Sequence, residues 1–300
     1  MANTREIQDR IKSINDTKKI TSAMYLISSS KLKKAKKSLT DTEPYFYTLQ
    51  STIARILKST DSEQTKQKYF EEGLTKPVEE RKKGYIVVTA DKGLAGAYNH
   101  NVIKIAQEQL DTNPNSRLYV IGQVGMHYFQ NKSTGVDQNF RYTIQNPTLN
   151  RARNIAETLL DIYEKDELDE VYIIYTKMIN SMSSEAELLK LLPLKKGDFS
   201  DPKLLEDGEK ADDFVFIPSA DSVFETIVPN WISGLVYGAL VEAYCSEQNS
   251  RMMAMQSSTD SANDMLRELN IIYNRVRQAA ITQEITEVIS GAKAQKKKKG

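Results

Sequence analysis

The sequence predicts an α/β protein in which the two terminal segments form a long antiparallel two-helix coiled coil and the middle forms a small α/β domain. Two observations at the ends carry this. From Thr4 to about Lys58 there is no glycine and only one proline, Pro44. From Trp231 to about Ala292 there is no proline, and Gly234, Gly238 and Gly291 are the only glycines. The third observation is a change of period between them, from helical spacing to short β-branched and aromatic runs.

The first helix shows Ile7, Ile11 and Ile14 at helical spacing, then a displaced stripe of Ile20, Ala23, Met24 and Ile27, then Leu32, Ala35 and Leu39. A helix of this extent reaches about 80 Å at 1.5 Å per residue, several times the length usual in a compact domain. Pro44 is expected to kink it or to mark its weaker end. In the last third, Ser222 and Glu225 read as a capping box, and Pro229 as a fresh helical start. Met252, Met255, Thr259, Ala262, Leu266, Leu269, Tyr273, Val276 and Ala280 then follow steps of three and four, as a coiled-coil seam does. Near the end the stripe shifts to Ile281, Ile285, Val288 and Ala292. Neither helix can bury such a stripe alone, so the two are expected to pair antiparallel.

In the middle, "GYIVVT" (84–89), "RLYVIG" (117–122), "VYIIYT" (171–176) and "DFVFIP" (213–218) read as buried strands. Helical stretches near 99–110 and 149–165 alternate with them, which points to parallel strands. Residues 59–83 and 195–212 read as loops. "EAELLKLLPL" fits either a helix or an edge strand. The expected divisions are 1–58 for the first coiled-coil helix, 84–218 for the α/β domain, 219–292 for the second helix and 293–300 for a lysine-rich tail.

Composition excludes several classes. The chain of 300 residues carries a formal net charge of only +1, so no global field points to nucleic acid. Its basic residues are bunched instead, at Lys31, Lys33, Lys34, Lys36 and Lys37 and in the tail Lys296–Lys299, which reads as disordered. No aromatic residues interleave with the 31–37 lysines, which further disfavours nucleic acid. That cluster is either a solvated helix face or a surface for an acidic partner. One cysteine, Cys245, forbids an internal disulfide, and no metal ligand set can be assembled around His100 or His127. No run approaches the roughly 20 apolar residues that span a bilayer, so any membrane link runs through partners.

One stretch looks like enzyme chemistry. "VVTADKGLAGAYN" (87–99) runs strand, turn, helix, with Asp91, Gly93 and Gly96 in the turn. Helix-start amides favour anions. The spacing matches neither dinucleotide nor P-loop fingerprints, and a tight turn in which glycine avoids a steric penalty accounts for it as well.

Three long stretches carry a family resemblance. "REIQDRIKSINDTKKITSAMYLISSSKLKKA" (5–35) and "SEQNSRMMAMQSSTDSANDMLRELNIIYNRVRQAAITQEITEVISGA" (246–292) resemble the terminal signatures of the gamma subunit of F-type ATP synthases. "TADKGLAGAYN" is similar to that family's central stretch. The resemblance implies a Rossmann-like side domain on an antiparallel coiled coil. It implies a central-stalk rotor shaft of a proton-translocating enzyme, peripheral at the cytoplasmic face of a bacterial membrane. Partners would be the alpha, beta and epsilon subunits and the c-ring. Catalysis would belong to the ring, leaving this chain without catalytic residues, cofactor or metal.

By the same resemblance, Arg277, Gln278 and Thr282 meet a loop of beta, with Met24 on the first helix opposite that region. Lys31, Lys33 and Lys34 would face acidic levers of beta. Ala95 replaces the family's central cysteine, the cysteine-bearing insert of photosynthetic chains is absent, and 181–192 reads more helical than the family's sheet edge. The alternatives are an α/β nucleotide-binding enzyme with helical arms, and a coiled-coil scaffold without a motor.

Overall fold

The structure, a computed structural model, describes residues 4–59, 69–71, 74, 76–130, 132, 135–180, 183–201, 217 and 219–298. Helix α1 spans Thr4–Ser59 and helix α5 spans Ala220–Lys298. Between them lie β1 (Lys83–Val88), α2 (Tyr98–Thr112), β2 (Ser116–Ile121), α3 (Gln123–Gln130), α4 (Leu149–Glu164), β3 (Glu170–Met178) and β4 (Ser184–Leu192). Contacts divide the chain into two compact units. One holds residues 1–27 and 252–300, the other Ser28–Arg251.

The first unit is a helix pair. Gln8 Nε2 donates to the Tyr273 hydroxyl at 2.7 Å, and the Thr21 and Thr259 hydroxyls meet at 2.7 Å. Paired residue numbers therefore add to about 280, the mark of an antiparallel register. The burial follows. On α5, Met255 and Ala262 are buried, and Met252, Thr259, Leu266, Leu269, Tyr273 and Val276 are half-buried. This is the predicted seam as far as Val276. Ala280 is exposed, because the register brings Thr4, where the described part of α1 begins, level with Val276.

On α1, Ile7 and Thr21 are buried and Ile11, Ile14, Lys18 and Tyr25 half-buried, a steady alternation of three and four. The displaced stripe is not part of the seam: Ile20, Ala23 and Ile27 are exposed, and Met24 is half-buried. The offset of one residue turns that stripe about 100° away from the partner helix.

The second unit is built on a four-stranded sheet of order β2-β1-β3-β4. β1 pairs in parallel with both β2 and β3, and β4 runs antiparallel to β3. Side chains alternate across the sheet as strand geometry demands. Tyr85, Val87, Leu118, Val120 and Ile174 face α2 and α3, packing on Val102, Ala106, Met126 and Phe129. Ile86, Val88, Tyr119, Ile121 and Ile173 share the opposite core with Ile155, Ala156 and Leu159 of α4 and with apolar residues of α1 and α5.

Three of the four expected strands are present. The fourth, 213–218, lies outside the described residues apart from Ile217. "EAELLKLLPL" forms the edge strand β4, not a helix, because its backbone pairs with β3 from Ser184 to Leu192. The two segments read as loops also contribute to the core. Phe70 bridges to Leu194, and its ring meets Phe199 and Phe224 edge-on at 6.4 and 5.9 Å. Their polar sequence hid a few aromatic anchors.

Neither proline ends its helix. Pro44 lies inside α1 and Pro229 inside α5. An interior proline costs about 3 kcal/mol, and burial of Val228, Ile232 and Val236 around Pro229 offsets it. The cap of α5 is Ser219, whose hydroxyl accepts from the Ser222 amide at 3.3 Å, so Ser222 is a helical residue and not the cap. The helix also continues through Lys298, taking in part of the tail expected to be disordered.

Within the second unit α1 and α5 approach closely at Gly234. A Cβ there would lie 2.2 Å from the Phe46 ring. Gly234→Ala is therefore expected to destabilise the chain by about 1–3 kcal/mol, the usual cost of overpacking, as read by denaturant unfolding. An ordinary gain from helix propensity would show instead as a raised midpoint.

An ionic network closes the sheet at the start of β1 and β3. Lys76 pairs with Asp169 at 2.7 Å, and Arg81 and Lys190 pair with Glu170 at 2.9 and 3.5 Å. Burial is the largest single influence and would raise both carboxyl pKa values, but the hydrogen bonds from Lys76 and the Lys82 amide to Asp169, and from Arg81 and Tyr172 to Glu170, together with nearby lysine charges, lower them. A lowered folded-state pKa means stability that is present above the unfolded value, near pH 4, and lost as pH falls below it. Acid unfolding should therefore set in below about pH 4. Asp169→Asn should flatten that pH dependence in a circular-dichroism titration.

Candidate partner-binding surfaces

The residues singled out for partner contact fall in both units. Met24, Arg277, Gln278 and Thr282 belong to the helix pair, and Lys31, Lys33 and Lys34 to the α/β unit. Arg277, Gln278 and Thr282 stand on α5 beyond the end of the described seam, all exposed. The Thr282 hydroxyl donates to the Gln278 carbonyl at 2.8 Å, a bond within the helix that leaves its oxygen lone pairs facing outward. Around them Ile281, Ile285, Val288 and Ile289 are about half or more exposed. This part of α5 therefore presents an exposed apolar stripe beside a few polar side chains.

Met24 is not opposite that region. The register places it level with Gln256, about 21 residues short of Arg277, or roughly 30 Å along the helix. Sequence alone suggests pairing of the two helices but not their axial register. Met24 instead borders the outward stripe of Ile20 and Ile27.

The lysines lie further along α1. Lys33, Lys34, Lys36 and Lys37 are exposed, while Lys31 is half-buried and close enough to Glu247 to help hold it ionised. Lys31 thus belongs partly to an internal charge group, unlike its neighbours.

That internal group gathers at the turn after β1. Leu94 adopts φ +64° and Gly96 φ +56°. Ala95 and Tyr98 are buried beneath the turn. Asn99 Oδ1 accepts from the Ala90 amide at 2.8 Å, and Asp91 accepts from the Gln123 amide at 3.2 Å and from the Thr143 hydroxyl. Arg251 of α5 donates to the carbonyls of Lys92 and Gly93, each at 3.1 Å, and pairs with Glu247 at 2.6 Å. Burial raises the Glu247 pKa, against the pull of Arg251 and Lys31.

The turn is held mainly by side chains of its own protein. Sequence reasoning noticed its glycines and missed Glu247 and Arg251. The available signal was an acid–base pair at i and i+4 in the polar run 246–251, which follows a largely apolar stretch of helix. Cys245 is buried, and burial pushes its thiol up to about 11, which suits a packing residue and not a nucleophile. Among the described residues no group of acidic, histidine or cysteine side chains could hold a metal ion, and no helix is long and apolar enough to cross a membrane.

Comparison with known proteins decides the family. The sequence profile described as "ATP synthase" matches residues 3–295. The chain belongs to the ATP synthase gamma chain family. It is 46% identical over 299 residues to the ATP synthase gamma chain of Ruminiclostridium cellulolyticum, covering 97% of this chain and 98% of that one. It is 34% identical to the sodium-ion-specific gamma chain of Acetobacterium woodii, covering 97% and 98%. Among solved structures, it resembles a chain of the Euglena gracilis mitochondrial ATP synthase (OSCP/F1/c-ring, rotational state 3), with a TM-score of 0.63 at 18% identity. That match covers 97% of this chain and 94% of that one. A chain from the Tetrahymena thermophila mitochondrial ATP synthase central stalk and c-ring gives 0.58 at 21% identity, covering 79% and 98%. At these identities the structural likeness establishes the fold, a helix pair with an α/β domain, as expected.

Proposed function

We propose that this chain is the non-catalytic central-stalk shaft of a proton-translocating F-type ATP synthase. On this reading it transmits torque between the membrane c-ring and the beta subunits. The observation that supports it most directly is the last part of α5, which has helical backbone and an apolar face that α1 does not cover. A surface of this kind, beside Arg277 and Gln278, suits the bore of a ring of alpha and beta subunits. The epsilon subunit and c-ring take the other end. The protein would sit peripherally at the cytoplasmic face of the bacterial membrane, held through partners.

A turning shaft must mark angles without locking at any of them. Arg277, Gln278 and Thr282 supply a few hydrogen bonds to beta, each worth roughly 1.5–3 kcal/mol when charge-assisted, strong enough to register a position and weak enough to break. Met24 and the stripe beside it supply an apolar contact that slides. Lys33 and Lys34, with part of Lys31, supply charge toward acidic levers of beta, where attraction is long-ranged but screened. The nucleotide-binding alternative draws on the turn after β1. Arg251 takes up two carbonyls of that turn, which accounts for its shape without a ligand.

Co-expression with alpha, beta and epsilon subunits tests the assignment. The chain should elute with all three in a complex that hydrolyses ATP. Failure to assemble, together with tight one-to-one binding of ATP by the chain alone, would transfer the case to the enzyme reading.

In the assembled complex, Arg277→Ala should slow turnover roughly ten- to a hundredfold, the equivalent of one lost charge-assisted bond. Unaltered turnover would remove Arg277 from the contact set. Met24→Lys should lower ion pumping per ATP hydrolysed while leaving the melting temperature of the chain within a few degrees, since Met24 is only half-buried. Pumping equal to wild type would count against its contact role.

A further inference from the structure

The Glu247–Arg251 pair is unusual for its cost. Glu247 is fully buried and Arg251 is 8% exposed. Buried ion pairs often contribute little net stability, and a hydrophobic pair of similar volume can do as well. Moreover, among the described residues Glu247 Oε2 has no hydrogen-bond partner. What the pair achieves is geometric. One edge of the guanidinium faces Glu247 one helical turn back, and Nη2 reaches the Lys92 and Gly93 carbonyls. A planar fork with five donors can do both at once, and a lysine cannot.

The turn so held is strained. A non-glycine residue in the left-handed region is uncommon and costs of order 1–3 kcal/mol, so surrounding contacts must over-determine it. Four groups do so: Asp91 of the turn itself, bonded to the start of α3; Asn99 and Tyr98 of α2, one on the Ala90 amide and one packed beneath; and Arg251 from α5. Arg251 joins the turn to the long helix through two hydrogen bonds. At the tip of the turn Lys92 is exposed and Leu94 is 65% exposed.

We propose that Arg251, oriented by Glu247, is a positioning residue that straps the β1–α2 turn to α5, so that rotation passes between the long helix and the α/β domain without slip. This rests on the rotary function proposed above. It concerns how one part of the shaft drives another, not which partner the shaft meets.

The test uses the assembled complex with Arg251→Gln and Arg251→Lys. Two quantities are read: hydrogen exchange by mass spectrometry, and ion pumping per ATP hydrolysed. In Arg251→Gln, peptides covering 90–99 and the Gln123 amide should exchange at least tenfold faster. Peptides over β3 and α4 should keep wild-type protection, and the pumping ratio should fall severalfold. Arg251→Lys should be intermediate in both readings, since an ammonium lacks the fork. It decides the matter alone if the glutamine variant does not assemble.

Unchanged exchange at 90–99 would overturn the proposal. So would protection lost evenly across the α/β unit, which marks ordinary destabilisation, and so would a loosened turn with full pumping. Failure of the rotary reading is a separate result, because there the wild-type complex itself would not pump.

Discussion

The rest of the structure depends on the antiparallel register of the chain's two ends. A stripe of apolar residues on one long helix has no stable place in water unless a second stripe of the same period covers it. Here the second stripe lies more than two hundred residues away in sequence. Hydroxyl and amide contacts choose among the registers that apolar packing alone would allow. The Thr21 and Thr259 hydroxyls meet at this register, and each also has a carbonyl of its own helix within hydrogen-bond reach, so the pair marks the alignment at little cost. Polar residues in such seams commonly specify a single alignment.

Register then determines where the covering stops. The described part of α1 begins level with Val276, and residues 277–293 of α5 are exposed. The same register moves Met24 away from Arg277, so the two stand at different levels of the helix pair. A contact inferred at one cannot be assumed to balance the other.

In the α/β unit, the sheet is parallel across β2, β1 and β3 and antiparallel at β4, its central strands are buried, and the turn after its first strand is drawn to α5 by a buried charge pair. Local strain at Leu94 and the unsatisfied Glu247 oxygen are departures from the most stable arrangement. Proteins hold such departures where geometry matters more than free energy. The turn's resemblance to a phosphate loop comes from the same requirement, a sharp strand-to-helix reversal, met here by internal partners.

The sequence by itself determined the long terminal helices, the seam from Met252 to Val276, and the three described core strands. Each depends on a local period that neighbouring residues impose on one another, and side-chain chemistry along ten or more positions records it. It also determined the family, through stretches too long to match by accident. Only the tertiary structure decided that β4 is a strand, that Phe70 and Phe199 belong to the core, that Pro229 is absorbed into α5, and that Met24 is distant from Arg277. These outcomes turn on partners far apart in the chain: β3 beside β4, the core around Pro229, and the axial match of two helices. A period shows which face of an element will be buried, but not what will bury it or at what level, because that is settled by packing between segments that share no local signal.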